Sequence, residues 1–293
     1  MKEVLRLLIA YDGSVCSDAA LNDLKRAGLP PALKAVVLTV ADIILPPSDD
    51  ELSTDEMPAI RIPEVERHAQ ARAQKAIKEA RTYAERAARR VKASFPGWDV
   101  VAEVLCDSPA WAVLKMADKV NAGLIIVGSH GHSLVGGRLI LGSVSQRVLY
   151  EARCSVRVAR WSGDRREGPV RIVVGSNSSP DSEIAVAAVT SRTWPEGSEA
   201  RVVTARYKLD PAMDGVAAER LRAAGLTTVE TSREGDPAHV LIKEAEAWGA
   251  DSIFVGTRDV HGFRHLLHGS VSSSVAARAQ CSVEVVRAAR RVS

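Results

Sequence analysis

GLIIVGSHGHSLVGGRLILGSVSQRVLYEARCSVRVA, residues 123–159, decides how the chain is read. Leu124-Ile125-Ile126-Val127 is a continuous apolar run bounded by glycines, the pattern of a strand buried on both faces. Gly128-Ser129-His130-Gly131 breaks the run, and Gly142-Ser143 then opens an amphipathic helix reaching about Ala152. Ser155 to Ala159 reads as one more strand. Glycines let the backbone turn sharply and let a ligand approach the main chain. The amides at the start of a helix lack partners and carry the positive end of its dipole, which suits a phosphate. Ser143 and Ser145 offer hydroxyl donors, and Arg138 offers charge. The same residues would serve a plain tight connection with Ser143 as a cap, so the residues alone leave both readings open.

The stretch occurs twice. Residues 251–287 read DSIFVGTRDVHGFRHLLHGSVSSSVAARAQCSVEVVR. Gly142-Ser143-Val144-Ser145 matches Gly269-Ser270-Val271-Ser272, and Cys154-Ser155-Val156 matches Cys281-Ser282-Val283, both at an offset of 127 (269 − 142). One fixed offset over a dozen residues marks a tandem duplication. The length of 293 residues accommodates two units, each able to bury a core. The expected division is 1–162, a linker at 163–169 with the polar WSGDRREG run, and 170–293.

Outward from that core, both halves alternate strand and helix. Val4–Tyr11, Ala35–Ala41 and Val100–Leu105 read as strands, and about 17–27, 63–92 and 110–120 as helices. The second half repeats the plan with strands Arg171–Gly175, Ala200–Arg206 and Thr227–Ser232, and helices at 182–190, 213–224 and 237–248. Buried strands alternating with helices imply an α/β fold with a parallel sheet and crossover helices. Near the start the offset between halves is 165 (177 − 12), so the first half carries an insertion, placed in the proline-rich acidic loop 43–62 and the long helix after it.

Composition bounds the function. Hydrophobic residues make up 46% and charged residues 26%, as in ordinary soluble domains, and net charge is only +3. Aromatics at 4% argue against a stacking platform for single-stranded nucleic acid. The cluster Arg86, Arg89, Arg90 and Lys92 lies on a polar helix and reads as a solvated face. Cys16, Cys106, Cys154 and Cys281 form no CxxC pair, so the thiols are read as small apolar residues in a reducing compartment. No signal peptide and no membrane-length run are recognised, and a cytoplasmic protein is expected. His261, His265 and His268, spaced i, i+4, i+7, lack a clear further ligand and read as solvated loop histidines rather than a metal site. No Walker A motif, GxGxxG or nucleophile elbow is present, and Ser143 has no evident base partner.

With YDGS after the first strand, Gly-Ser-His-Gly after the fourth, GSVS opening the last helix and CSVRV as the last strand, the chain resembles the universal stress protein family in its tandem form. The resemblance implies two doubly wound, Rossmann-like five-stranded parallel sheets of order 3-2-1-4-5. It implies ATP or AMP as ligand, with Mg2+ as companion ion. It assigns the nucleotide of the first half to Ala10, Asp12, Val40, Gly128, Ser129, Gly131, Arg138, Gly142, Ser143, Val144 and Ser145. Ten residues separate Gly131 from Gly142, one more than in the family pattern, and Gly136-Gly137 is where the extra residue is absorbed. In the second half Asn177, Ser178 and Ala205 stand for Asp12, Gly13 and Val40, and Asp259 stands at the middle glycine, where a carboxylate repels phosphate. A degenerate second site is expected. Three functions follow: a nucleotide-binding stress-response module with weak or no hydrolysis, an interaction scaffold of the same fold without nucleotide, or a slow ATPase using the acidic loop 49–56. The apolar last strands need cover. Pairing between the two halves would give a pseudo-dimeric monomer, and the family's habit leaves a homodimer and an unidentified protein partner open.

Overall fold

The computed structural model describes residues 5–43, 63–130, 141–160, 168–206, 215–257 and 271–288. The first half runs β1 (Arg6–Ala10), α1 (Val15–Asp23) with a short 3-10 turn (Leu24–Arg26), β2 (Lys34–Ala41), α2 (Pro63–Ser94), β3 (Asp99–Cys106), α3 (Pro109–Lys119), β4 (Leu124–Gly128), α4 (Ser143–Glu151) and β5 (Ser155–Ala159). The second half runs β6 (Arg171–Gly175), α5 (Pro180–Thr190), β7 (Glu199–Arg206), α6 (Val216–Ala223), β8 (Thr227–Glu234), α7 (Pro237–Trp248), β9 (Ser252–Gly256), α8 (Val271–Arg278) and β10 (Ser282–Val286).

Ten strands form one sheet in the order β3-β2-β1-β4-β5-β10-β9-β6-β7-β8. Each half is parallel and keeps the expected order 3-2-1-4-5. The halves meet through β5 and β10, which pair antiparallel with Val158 opposite Val283, Arg157 opposite Glu284 and Val156 opposite Val285. Arg157 and Glu284 are equivalent positions of the repeat, so the pseudo-two-fold axis passes between them. The edges left by duplication thus cover one another inside the chain. All residues of β4, β5 and β10 are buried, which explains the unbroken apolar run of β4, while β5 and β10 each carry one buried charge, Arg157 and Glu284. The outer strands β3 and β8 are partly exposed and mix polar residues into the run.

The two faces of the sheet differ at the axis. On the face of α3, α4, α7 and α8, one apolar core crosses it without a break, from Val127, Val156 and Val158 to Val283, Val285 and Val255. On the opposite face there are two cores, one under α1 and α2 and one under α5 and α6. Between them lies a buried ion network. Arg157 donates from Nε to Asp23 Oδ2 at 2.6 Å and from Nη2 to Oδ1 at 3.0 Å, and its Nη1 lies 3.5 Å from Glu284 Oε2. Arg192 donates to the other oxygen of Glu284 and to the Ala27 carbonyl. A second buried pair, Arg26 with Asp251 at 2.7 Å, also ties the halves together.

The insertion in the first half takes form as α2, 32 residues against 8 in its counterpart α6. Its buried stripe is small, with Ala73, Ala80, Ala84, Ala87 and Val91 recurring at helical spacing. The basic cluster points outward: Arg89 pairs with Glu85, and Arg90 donates to Asp18 at 2.7 Å. That is a solvated face, as expected. Residues 163–167 of the expected 163–169 linker, residues 44–62 of the expected proline-rich loop 43–62 and the three histidines of the 258–270 segment lie outside the described residues. All four cysteines are free thiols. Burial pushes the Cys154 thiol up to about 11, consistent with a packing role.

Candidate functional site

In open parallel sheets, ligands sit beyond the carboxyl ends of the strands where the order reverses. Here that point lies between β1 and β4, which are neighbours in the sheet while their crossovers leave in opposite directions. The ends of β1, β2 and β4 bring Ala10, Asp12, Val40, Gly128 and Ser129 together, and the start of α4 adds Gly142, Ser143, Val144 and Ser145. Gly131 and Arg138 fall outside the described residues.

The β1 end is a built turn. The Tyr11 amide donates to the Leu38 carbonyl at 2.9 Å, extending the β1–β2 ladder by one rung. Asp12 Oδ1 accepts from the Ser14 amide at 2.9 Å, an Asx turn, and Ser14 Oγ then caps α1 by accepting from the Ser17 amide. Gly13 holds φ +80 between them. The second half repeats this turn: Asn177 Oδ1 accepts from the Ser179 amide at 3.3 Å, and Ser179 caps α5. Ser178 occupies the left-handed region, φ +55, where the first half has glycine. A non-glycine residue there costs roughly 1–2 kcal/mol.

Tyr11 fixes α1 over this turn. Its hydroxyl donates to Asp18 Oδ1 at 2.9 Å. Burial, followed by this hydrogen bond, pushes its pKa up to about 12. The unfolded value is near 10. The folded state therefore holds the proton more tightly, and the resulting stability is complete below about pH 10 and lost as pH rises through about 12. Urea-unfolding midpoints measured from pH 9 to the alkaline limit should fall more steeply in the wild type than in Tyr11→Phe. Parallel curves would remove Tyr11 from the alkaline transition.

The β4–α4 connection is tied at two points. The Gly142 amide donates to the Ser129 carbonyl at 2.8 Å, and Ser145 Oγ donates to the Gly128 carbonyl at 2.6 Å. Ser145 is buried and gives its one proton to the backbone. Its observed role is to hold α4 against the end of β4. Gly142 is the N-cap of α4 and brings no side chain to accept from the first-turn amides. By contrast, α1, α5 and α7 each receive a side-chain cap, from Ser14, Ser179 and Asp236. Ser143 is exposed, and Val144 packs partly against the core. Among the described residues no side chain caps the α4 start, as is also the case for α3 and α6, and it presents the positive end of a dipole.

Gly128 has a second reason to be glycine. A Cβ there would stand 2.7 Å from the Cys16 carbonyl oxygen. The strand end passes directly under the first turn of α1. Ser129 Oγ lies 3.8 Å from Cys16 Sγ and 3.2 Å from His130 Nδ1. Burial, and then the charge of Arg160, lowers the pKa of His130 below the usual imidazole value. Arg160 itself, at the end of β5, was missed by motif reading. It follows a short apolar strand and belongs to none of the sequence signatures, although its repeat equivalent, Arg287, lies at the same offset of 127.

Among the described residues, no group of His, Cys, Asp and Glu has metal-binding geometry, and no helix is long and apolar enough to cross a membrane.

Comparison with known proteins gives a consistent picture. The sequence profile described as the universal stress protein family matches residues 4–160 and again 165–287. A universal stress protein of Mycolicibacterium smegmatis is 28% identical over 214 residues, covering 65% of this chain and 70% of that protein. One from Mycobacterium bovis is 43% identical over 68 residues, 23% of this chain, and the match spans only 22% of that relative's length. The crystal structure of a universal stress protein from Archaeoglobus fulgidus superposes with a TM-score of 0.66 at 21% identity, over 97% of this chain and 96% of that one. That likeness bears on the fold.

Proposed function

The chain belongs to the universal stress protein family, and from that premise we propose that its first half binds ATP or AMP and acts as a stress-response regulatory module in the cytoplasm. The observation that carries this reading is the start of α4. It is a helix N-terminus without a side-chain cap among the described residues, following β4 at the switch point of a parallel sheet where the Asp12 turn follows β1. The phosphates would lie on the amides of Ser143 to Ser145, with Ser143 Oγ, Gly131 and Arg138 beside them and Mg2+ as companion of a triphosphate. Asp12 would meet the ribose, while Ala10 and Val40 would flank the base. Ser145 and the Gly142 amide keep the helix start in place through their bonds to β4. Residues 1–162 and 170–293 are taken as the two domains. The second holds a degenerate site with Asn177, Ala205 and Asp259 at the decisive positions.

One observation favours a second reading, a scaffold of this fold that holds no nucleotide. Gly128 and Ser145, two residues of the motif, are accounted for by packing and by a backbone hydrogen bond.

Mass spectrometry of the denatured, purified full chain separates the two. ATP or AMP should be released at about one equivalent per chain, and Asp12→Ala should release none. A chain that carries no nucleotide and shows no heat of binding with added ATP would leave the scaffold. Slow phosphate release abolished by Asp12→Ala would add ATP hydrolysis to the binding function. The full chain is the right object, because removing either half exposes β5 or β10 as an apolar edge.

A further inference from the structure

Arg160 and Arg287 occupy equivalent positions just beyond β5 and β10, and each reaches across the pseudo-two-fold axis. The Arg160 amide donates to Ser282 Oγ at 2.9 Å, and the Arg287 amide donates to Ser155 Oγ at 3.1 Å. Arg160 Nη2 donates to the Ala276 carbonyl at the end of α8, at 2.6 Å. Arg287 Nη2 donates to the equivalent Leu149 carbonyl at the end of α4, at 2.5 Å. Each cation thus caps the negative end of a helix in the other half.

The symmetry then fails. Arg287 uses Nη1 as well, donating to the Cys154 carbonyl at 3.1 Å. Arg160 Nη1 and Nε are buried and have no acceptor among the described residues. Arg160 is only 8% exposed, and among the described residues no carboxylate pairs with it. Its electrostatic neighbours are the thiols of Cys16 and Cys281, and burial lowers its pKa to about 10. A buried cation without a counter-charge is costly to keep. Arg157, Arg192 and Arg26, also buried at the axis, each have a carboxylate, and the buried Arg287 is held by two backbone carbonyls.

The location of this unused charge is specific. In the β4–β5 ladder, Gly128 lies opposite Ala159, so Arg160 runs beside Ser129, one residue beyond the last rung. The Ser129 carbonyl holds the Gly142 amide at the start of α4. By strand alternation Arg160 follows Val156 and Val158 onto the sheet face that carries α4 and α8, in agreement with its bond to Ala276. At the equivalent place in the second half, where the site motif is degenerate, the arginine is spent on backbone carbonyls.

We propose that Arg160 is the buried counter-charge for the phosphate of a ligand held at the start of α4, and that it makes the first site select phosphate-bearing ligands over the bare nucleoside. This rests on the nucleotide reading above for the identity of the ligand. The chemistry it names, an oxyanion accepting from Nε and Nη1, is shared by a nucleotide tail and a free polyphosphate.

The test uses the full chain as wild type, Arg160→Gln and Arg287→Gln. Binding of ATP, adenosine and sodium pyrophosphate is measured by calorimetry at one ionic strength. In Arg160→Gln, affinity for ATP should fall by about tenfold or more, with adenosine unchanged. Arg287→Gln should leave the ATP-to-adenosine ratio as in the wild type. If the wild type binds ATP and Arg160→Gln binds it equally well, the proposal falls and the nucleotide reading stands. If the wild type ignores ATP but binds pyrophosphate through Arg160, the nucleotide reading falls and the anion site stands. If neither ligand binds, both fall. Should Arg160→Gln fail to fold, 15N-arginine spectra of the wild type, assigned with Arg160→Lys, read the same contact. The Arg160 Nε resonance should move with ATP or pyrophosphate and not with adenosine, and a stationary resonance would overturn the proposal.

Discussion

Gly256→Ala is expected to destabilise the chain by about 3 kcal/mol or more, and Gly128→Ala by about 1–3 kcal/mol. An alanine Cβ at 256 would stand 1.7 Å from the Asp181 carbonyl oxygen and 2.5 Å from its carbon. Both are backbone atoms at the first turn of α5, and no side-chain rotation relieves them. The helix start would have to move, and α5 is anchored. Ser179 caps it, and Val186 and Val189 are buried in the core under it. At 128 the closest approach is to the Cys16 oxygen at 2.7 Å, a milder conflict with the start of α1. Chemical denaturation of the two variants should therefore rank them, with Gly256→Ala the weaker protein. A Gly256→Ala variant as stable as the wild type would show that α5 yields freely at its N-terminus.

The ranking bears on how the motif is read. Gly128 belongs to the phosphate-loop signature, and Gly256 is its equivalent in the half whose site is degenerate. Both glycines are required by a helix start crossing a strand end. A glycine at this place is therefore weak support for a ligand, and loss of binding in Gly128→Ala would have a packing explanation. Gly142 differs, because it leaves the helix without a side-chain cap.

The fold was largely legible. Unbroken apolar runs such as Leu124–Val127 marked strands buried on both faces, and the constant offset of 127 showed the duplication without any structural input. The expected pairing of β5 with β10 is observed, because two apolar edges in one chain have each other as the nearest cover. Boundaries shifted where capping decided them: α1 begins at Val15 rather than Ser17, since Ser14 is its cap. The site was less legible. Ser145 was read as a phosphate donor from its place in GSVS, but whether a hydroxyl faces outward or bonds to the neighbouring strand is a tertiary fact, and here it donates to Gly128. Arg157 was read as one letter of an apolar last strand. A signal was present, since its repeat equivalent is Glu284, the opposite charge. The partners Asp23 and Arg192 are remote in sequence and could not be paired from spacing.

Glu284→Gln should cost about 3–5 kcal/mol, the range for breaking a buried ion pair by removing one partner. Glu284 is 1% exposed and lies between two guanidinium groups, with Arg192 on one oxygen and Arg157 3.5 Å from the other. Arg157 would keep Asp23. Arg192 would keep the Ala27 carbonyl, the face of Phe254, 5.1 Å away, and a neutral amide oxygen at best, with a second cation opposite and no negative charge between them. The glutamine preserves volume, so the loss is electrostatic rather than a cavity. A double-mutant cycle separates the charge from the shape. Arg192→Met alone leaves Glu284 with Arg157, and Arg192→Met with Glu284→Gln removes the stranded cation. The double variant should recover a large part of the loss, because a buried pair replaced on both sides is often nearly neutral. A loss in the double variant equal to the sum of the two single losses would show that the Arg192–Glu284 contact carries no coupling. The same logic explains why duplication suits this position. In a pairing of two identical halves, the residue on the axis meets its own copy: two arginines or two glutamates, buried. In one chain the copies have diverged into Arg157 and Glu284, so the sheet closes across the axis with opposite charges, and like-with-like pairing of the halves is disfavoured.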